Sequence, residues 1–279
     1  MTSHAWLPTA TCGRDCVAAR PGGRRLQIVT RVGLRAAALT LLLPLMPLLA
    51  VPAPGRRAWQ RRYCRAVLRC LGIRVSVSGG PIRNVTGVLV VAGHVSWADV
   101  FVIGAVLPGA FVAKAEMLRW PALGLVARLV KVIPIDRAEL RSLPDVVYAV
   151  ADRLRRGRTV VAFPEGTTWC GRAHGDFRPA LFQAAIDAQR AVQPLRLSYH
   201  DSDGALSTVP AYIGDDTLFA SLRRILSARR TVARVHVESL QLPGSDRREL
   251  AQRCQRVVRG SDVEPVRAPA HPRRRAPVA

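Results

Sequence analysis

Lysine is almost missing from this chain: of its 42 basic residues all but Lys114 and Lys131 are arginine. Acidic side chains are scarce too, 19 in all, which leaves a formal charge of +23 at pH 7. Much of that charge is solvated surface, yet a chain this basic attracts anionic lipid headgroups, nucleic acids and acidic proteins. Aromatic residues make up only 5% of the sequence, and no RNP, zinc-finger or helix-turn-helix pattern occurs. Nucleic acid is therefore a poor fit, and the membrane surface is the better partner. The six cysteines (Cys12, Cys16, Cys64, Cys70, Cys170, Cys254) make no C-x-x-C pair and no regular framework. They read as free thiols in a reducing compartment, needing neither a disulfide nor a metal. His174 with Asp176 does not amount to a metal site, and none is expected. His174 and His200 read as surface or satisfied polar residues. There is no internal repeat and no G-x-S-x-G nucleophile elbow.

Long uncharged runs are also lacking, with one exception. Ala36–Ala53 is rich in leucine, interrupted by Pro44 and Pro47, and just long enough to cross a hydrocarbon core of about 30 Å. Arg31 and Arg35 precede it and Arg56, Arg57, Arg61 and Arg62 follow. Charge on both flanks gives no clear orientation, and two prolines break a straight helix. A re-entrant or interfacial hairpin with both ends cytoplasmic satisfies both facts best, ahead of a true span and of a signal peptide.

Elsewhere the chain has the length for one sizeable α/β domain. Strands are expected near 74–78, 87–92, 110–114, 131–135, 159–163, 192–198, 207–213 and 231–238. Helices are expected at 57–71, 96–107, 121–130, 139–156, 177–190, 216–228 and 245–259. This alternation predicts a mixed, largely parallel sheet flanked by helices. Residues 1–30 lack periodicity and read as a disordered basic N-terminus, with 31–71 a membrane-associated helical segment and 72–260 the catalytic domain. From 261 to 279 proline and arginine dominate, as in a disordered tail.

The chemistry-bearing pattern is His94-Val95-Ser96-Trp97-Ala98-Asp99, directly after the apolar run Val88–Gly93. A neutral imidazole suits proton abstraction near pH 7, and a carboxylate beside it fixes its tautomer. On one continuous helix the two side chains would point about 140° apart. They meet only if His94 lies in the turn before a helix and Asp99 in its first turns, with Ser96 as the N-cap. Further on, Thr159–Phe163 reads as a second buried strand running into Pro164-Glu165-Gly166-Thr167-Thr168.

His-x4-Asp followed about 70 residues later by Phe-Pro-Glu-Gly-Thr resembles the PlsC-type glycerolipid acyltransferases, also called lysophosphatidate acyltransferases. Ala113-Lys114-Ala115-Glu116-Met117 resembles the family's Lys-x-Glu-Leu segment, and Val132–Arg137 its Ile-x-Ile-Asp-Arg segment. Asp176-Phe177-Arg178-Pro179-Ala180 stands where Phe-Lys-x-Gly is usual. The likeness spans roughly residues 85–215. It implies a membrane-associated O-acyltransferase on the cytoplasmic face of the cell membrane. Its expected reaction moves an acyl group from acyl-CoA or acyl carrier protein to the sn-2 hydroxyl of lysophosphatidate. Another lysolipid acceptor, such as lyso-ornithine lipid, is the alternative, and a His-Asp thioesterase a more distant one. His94 and Asp99 are the implied catalytic pair. Arg137, Glu165, Gly166 and Thr167, with Lys114, are the implied acceptor site, in which Glu165 orients an arginine or bonds a glycerol hydroxyl. Where the family has Arg-Ser after Glu-Gly-Thr, this chain has Thr168-Trp169, so that one phosphate contact is either lost or supplied by Arg172 or Arg178. No cofactor beyond the acyl donor is implied, and Cys170 is not needed as a nucleophile.

Overall fold

The computed structural model describes residues 7–17, 24–51, 53–80, 86–119, 124, 131–136 and 139–260. Seven strands form one sheet: β1 (Ile73–Gly79), β2 (Leu89–Ala92), β3 (Ala110–Lys114), β4 (Ile133–Ile135), β5 (Val160–Ala162), β6 (Val192–His200) and β7 (Thr231–Val237). Their order across the sheet is β1-β7-β6-β2-β5-β3-β4. Only β6 and β7 pair antiparallel; all other neighbours are parallel. The mixed, largely parallel sheet expected from the alternation of elements is what forms.

β2 lies at the centre because every one of its residues is apolar and can be buried on either face. Val88, Val90 and Ala92 point into one core layer, and Leu89 and Val91 into the other. The first layer is closed by α1 (Arg25–Leu42), α2 (Arg56–Cys70), α3 (Asp99–Val106) and α6 (Leu218–Ser227). The second is closed by α4 (Leu143–Arg155), α5 (Phe182–Asp187) and α7 (Arg247–Arg259). Each helix buries the stripe its spacing dictates: Tyr63, Val67 and Leu68 on α2, and Leu250, Ala251, Cys254 and Val258 on α7. Full burial of such an aliphatic side chain contributes about 1.5–3 kcal/mol. Thr217 and Asp246 cap α6 and α7 by accepting the amides of Ala220 and Arg248.

Helical structure begins at Arg25, earlier than the expected membrane-associated segment, and continues from Leu43 to Ala50 as a 3-10 helix over Pro44 and Pro47. The prolines remove α-type donors, and the tighter helix accommodates the loss. Arg31 and Arg35 do not reach outward. The Arg31 guanidinium donates to Ser227 O at 2.8 Å, and Arg35 donates to the carbonyls of Leu226, Ala228 and Arg229 at 2.7–2.9 Å. These are the orphan carbonyls at the C-terminus of α6, where a cation also meets the negative end of the helix dipole. Gly72 has φ +75° and lies under the Arg35 guanidinium, where a Cβ would come within 2.3–2.6 Å of it.

Three expectations change. Residues 7–17 are not structureless: Arg14–Cys16 forms a 3-10 turn and Cys12 is buried in the core. Residues 207–213 are not a strand, because β6 already has β2 on one side and β7 on the other, so no edge is free. The segment instead folds back as a loop clamped by Arg224, which donates to Val209 O and Ala211 O and pairs with Asp216 at 2.5 Å. Helix 177–190 shrinks to Phe182–Asp187, since the amides of Phe177 and Arg178 are drawn to Gln255 and to Pro164 O. The expected helix 121–130, apart from residue 124, and the tail 261–279 lie outside the described residues.

Candidate active site

In an open α/β sheet, ligands gather beyond the carboxyl ends of the parallel strands. β2 ends at Ala92 and β5 at Ala162, on adjacent parallel strands with Ala162 opposite Val91. The chain then leaves β2 through Gly93-His94 and β5 through Phe163-Pro164-Glu165, so the two motifs become neighbours. The His94 ring stacks on Phe163 with centroids 4.0 Å apart and planes 11° from parallel.

His94 sits in the turn and Asp99 is the first residue of α3, as the pairing requires. His94 Nδ1 is 2.8 Å from Asp99 Oδ2. The same oxygen accepts the amides of Val95 at 2.8 Å and Ser96 at 2.9 Å, and Oδ1 accepts the hydroxyl of Tyr199 at 2.6 Å. Asp99 is fully buried, and four donors replace the water it has lost. With the Nδ1 hydrogen directed at Asp99, Nε2 keeps its lone pair for a substrate proton, and the His94 side chain remains 17% exposed. Ser96 does not cap the first residue of α3 directly. Its hydroxyl accepts the amide of Ala98, the residue just before the helix, which starts at Asp99.

Glu165 departs from its expected place. Its carboxylate is 6% exposed and accepts the His94 amide at 2.9 Å and the Gly175 amide. It therefore holds the backbone of the His94 turn, and among the described residues the arginine that acts on it electrostatically is Arg259. Burial pushes its carboxyl up to about 8; the two amides and the charge of Arg259 oppose the rise, and Asp99 adds to it. The turn is reinforced from outside. Trp169 N donates to His94 O at 2.7 Å, Tyr212 N to Val95 O at 2.9 Å, and the Thr168 hydroxyl to Tyr212 O. Trp97 Nε1 donates to Ser221 on α6 at 3.1 Å.

Gly166 adopts the left-handed conformation, φ +74°, which only glycine takes without strain. The group that approaches it closely belongs to the chain itself: a Cβ there would lie 2.8 Å from Pro8 Cγ. Its other neighbour is Arg178, whose Cδ is 3.7 Å from the same point. Arg178 is exposed beside the turn. Thr167 is half-buried next to Gly166. Lys114 ends β3 at the same end of the sheet, but its ammonium pairs with Glu116 at 3.1 Å. Arg137 lies outside the described residues. His200 is satisfied, its ring nitrogens 3.0 Å from Ser198 Oγ and from Gly204 O.

Sequence reasoning did not single out Tyr199. Its place on β6, in step with Leu195 and on the strand next to β2, puts the phenol under Asp99. No spacing rule announces such a contact from 100 residues away. Burial first, then the neighbouring Asp99, raise its pKa well above the ordinary value, so the hydroxyl stays a donor.

The Acyltransferase family profile matches residues 74–198. Over 206 residues the chain is 38% identical to the lyso-ornithine lipid O-acyltransferase of Pseudomonas aeruginosa, covering 73% of this chain and 76% of that protein. It is 39% identical over 171 residues to the 1-acyl-sn-glycerol-3-phosphate acyltransferase of Neisseria meningitidis serogroup B, covering 61% of this chain and 67% of the relative. The lyso-ornithine lipid O-acyltransferase of Rhodobacter capsulatus is 30% identical over 278 residues, covering 93% and 97%. The crystal structure of PlsC, the 1-acyl-sn-glycerophosphate acyltransferase of Thermotoga maritima, superposes with a TM-score of 0.62 over 85% of this chain and 95% of that one. At 18% identity the match speaks to the fold. The His-x4-Asp pair and the Phe-Pro-Glu-Gly-Thr turn meet on that fold, and the chain belongs to the PlsC-type glycerolipid acyltransferase family.

Proposed function

We propose that this acyltransferase moves a fatty acyl group from acyl-CoA or acyl carrier protein to the sn-2 hydroxyl of lysophosphatidate, giving phosphatidate, at the cytoplasmic face of the cell membrane. The observation that carries the reading is the His94–Asp99 pair, its carboxylate held by three further donors and its imidazole 17% exposed, at the carboxyl ends of β2 and β5. His94 Nε2 takes the hydroxyl proton as the acceptor oxygen attacks the thioester carbonyl. The C–S bond then breaks, and the leaving thiolate recovers the proton from His94. General-base assistance of this kind contributes about 10²–10⁴-fold. Asp99 holds the tautomer and stabilises the imidazolium. Arg178 and Lys114 supply positive charge of the kind a phosphomonoester headgroup needs, and the family resemblance adds Arg137 to them.

Membrane contact falls to the apolar arc of α1 and the 3-10 helix that follows. Leu26, Leu34, Leu41 and Leu43 are each more than 60% exposed, and an 18-residue window within Arg25–Ala50 has a mean hydropathy of 1.8. α1 packs against α2 and is tied to α6 through Arg31 and Arg35, which favours an interfacial or re-entrant hairpin.

Lyso-ornithine lipid is the second reading. Two of the relatives above carry that name, and the Lys114–Glu116 pair presents both signs of charge, as suits a zwitterionic headgroup. Initial rates with the two acceptors, in the same membranes and with the same acyl-CoA, decide between them. The first reading expects lysophosphatidate to be preferred and Arg178→Ala to raise its KM. Preference for lyso-ornithine lipid, with no effect of Arg178→Ala, establishes the second.

A further inference from the structure

Three of the six cysteines, far apart in sequence, come together outside the catalytic machinery. The sulfurs of Cys12, Cys16 and Cys170 all lie within 4.8 Å of one another, with Cys12 and Cys170 buried and Cys16 half-buried. We propose that Cys12, Cys16 and Cys170 form a binding site for a thiophilic divalent cation of the zinc type, clamping the N-terminal segment onto the loop that follows Glu165.

The geometry fits a metal better than a disulfide. With Zn–S bonds of about 2.3 Å, tetrahedral geometry places sulfurs about 3.8 Å apart, so the three here need close by no more than about 1 Å. A disulfide needs two of them to approach to about 2.05 Å and leaves the third unused. The local backbone is also arranged around sulfur. Cys170-Gly171-Arg172 is a tight turn with Gly171 at φ +86°, and it directs the amides of Arg172 and Ala173 at the Cys170 sulfur. Cys12 in turn accepts the amide of Cys170. On the other strand of the clamp, Cys16 N donates to Gly13 O at 3.0 Å, and that 3-10 turn brings Cys16 back beside Cys12. Amide donors aimed at thiolate sulfur are the outer contacts that orient and tune metal ligands.

Charge supports the same assignment. Three thiolates on a dication carry a net charge of −1, and Arg14 and Arg172, each two residues from a ligand, supply the opposite sign. Each thiol releases its proton to solvent on binding, and no oxidant or reductant takes part. Among the described residues three ligands meet, and the fourth position falls to water or an external thiol. The consequence reaches the active site: Pro8 closes over Gly166, and Trp169, next to Cys170, bonds the His94 carbonyl. Residues 7–17 contain only one short 3-10 turn, so a metal cross-link is the natural fastening for them.

The test uses the full-length protein in detergent, purified reduced and without chelator. Elemental analysis is expected to find one zinc per chain, and cobalt substitution to give the sulfur-to-cobalt charge-transfer absorption of thiolate coordination. Cys12→Ser, Cys16→Ser and Cys170→Ser should each abolish both signals, whereas Cys64→Ser and Cys254→Ser keep them. Should the serine variants fail to fold, alkylation of the unaltered protein decides. Added zinc must protect Cys12, Cys16 and Cys170 and leave Cys70 as reactive as before. Unprotected thiols in excess zinc, or a disulfide joining two of the three in protein from a reducing extract, would overturn the proposal.

Discussion

At the residue scale the site depends on two buried carboxyls with different tasks. Asp99 faces the reacting imidazole, and Tyr199 is its only side-chain hydroxyl donor among the described residues. Tyr199→Phe keeps the packing and strips one donor from a buried carboxylate, which costs about 1–3 kcal/mol. Chemical denaturation should show that loss, with kcat reduced and KM for the acceptor nearly unchanged; an unaltered midpoint would remove Tyr199 from the account. Glu165 answers to pH. Its carboxyl rises from an ordinary 4.5 to about 8 in the fold, so the fold favours the neutral form. Its stabilising contribution is complete below about 4.5, where the unfolded chain is also protonated, and is lost as pH climbs through about 8. Glu165→Gln should therefore flatten the decline of stability across that window while retaining an acceptor for the His94 and Gly175 amides. Glu165→Ala leaves both amides unpaired and should destabilise at every pH. Equal pH profiles for the unaltered protein and Glu165→Gln would contradict this. The sequence marked His94, Asp99 and Glu165 because short motifs carry them. It could not assign Glu165 its role, since the amide it serves lies in the other motif and becomes its neighbour only through strand pairing.

At the element scale, local pattern and tertiary competition divide the outcome. β3 occupies the expected residues 110–114, and α2, α6 and α7 fall within two residues of their apolar periodicity, because each has one face to bury and a clear stop. Residues 207–213 show the limit. Their alternation satisfies a strand, but the strand they follow, β6, is already paired on both sides by β2 and β7, and that is a property of the whole sheet. Residues 7–17 show another, since a short segment without periodicity is ordered by what it lands on. The apolar arc of α1 and of the 3-10 helix that follows it makes its own prediction. Replacing Leu41 and Leu48, exposed by 76% and 48%, with aspartate should release the protein from vesicles in a flotation assay and leave its unfolding midpoint unchanged. Charged residues buried at the bilayer interface are costly, whereas exposed ones in water are not. Retention on vesicles would assign membrane contact to another surface.

Across the whole molecule, an excess of arginine, an exposed apolar helix and a catalytic turn combine into one arrangement. On the proposed function, the basic surface serves to draw the chain to anionic lipid and to acidic acyl donors, and that attraction should weaken as salt screens it over a Debye length of about 8–10 Å. α1 ties that membrane-facing part to the sheet through α6, and the sheet aligns the ends of β2 and β5 so that base and acceptor turn meet. Acyl transfer to a lysolipid hydroxyl by His94 is the central claim. It is tested most directly by following thiol release from acyl-CoA in membranes containing the protein, with and without lysolipid, alongside His94→Ala. Release that requires the lysolipid and falls about 10²–10⁴-fold in His94→Ala is the predicted result. Equal release without any acceptor, or full activity in the variant, would contradict it.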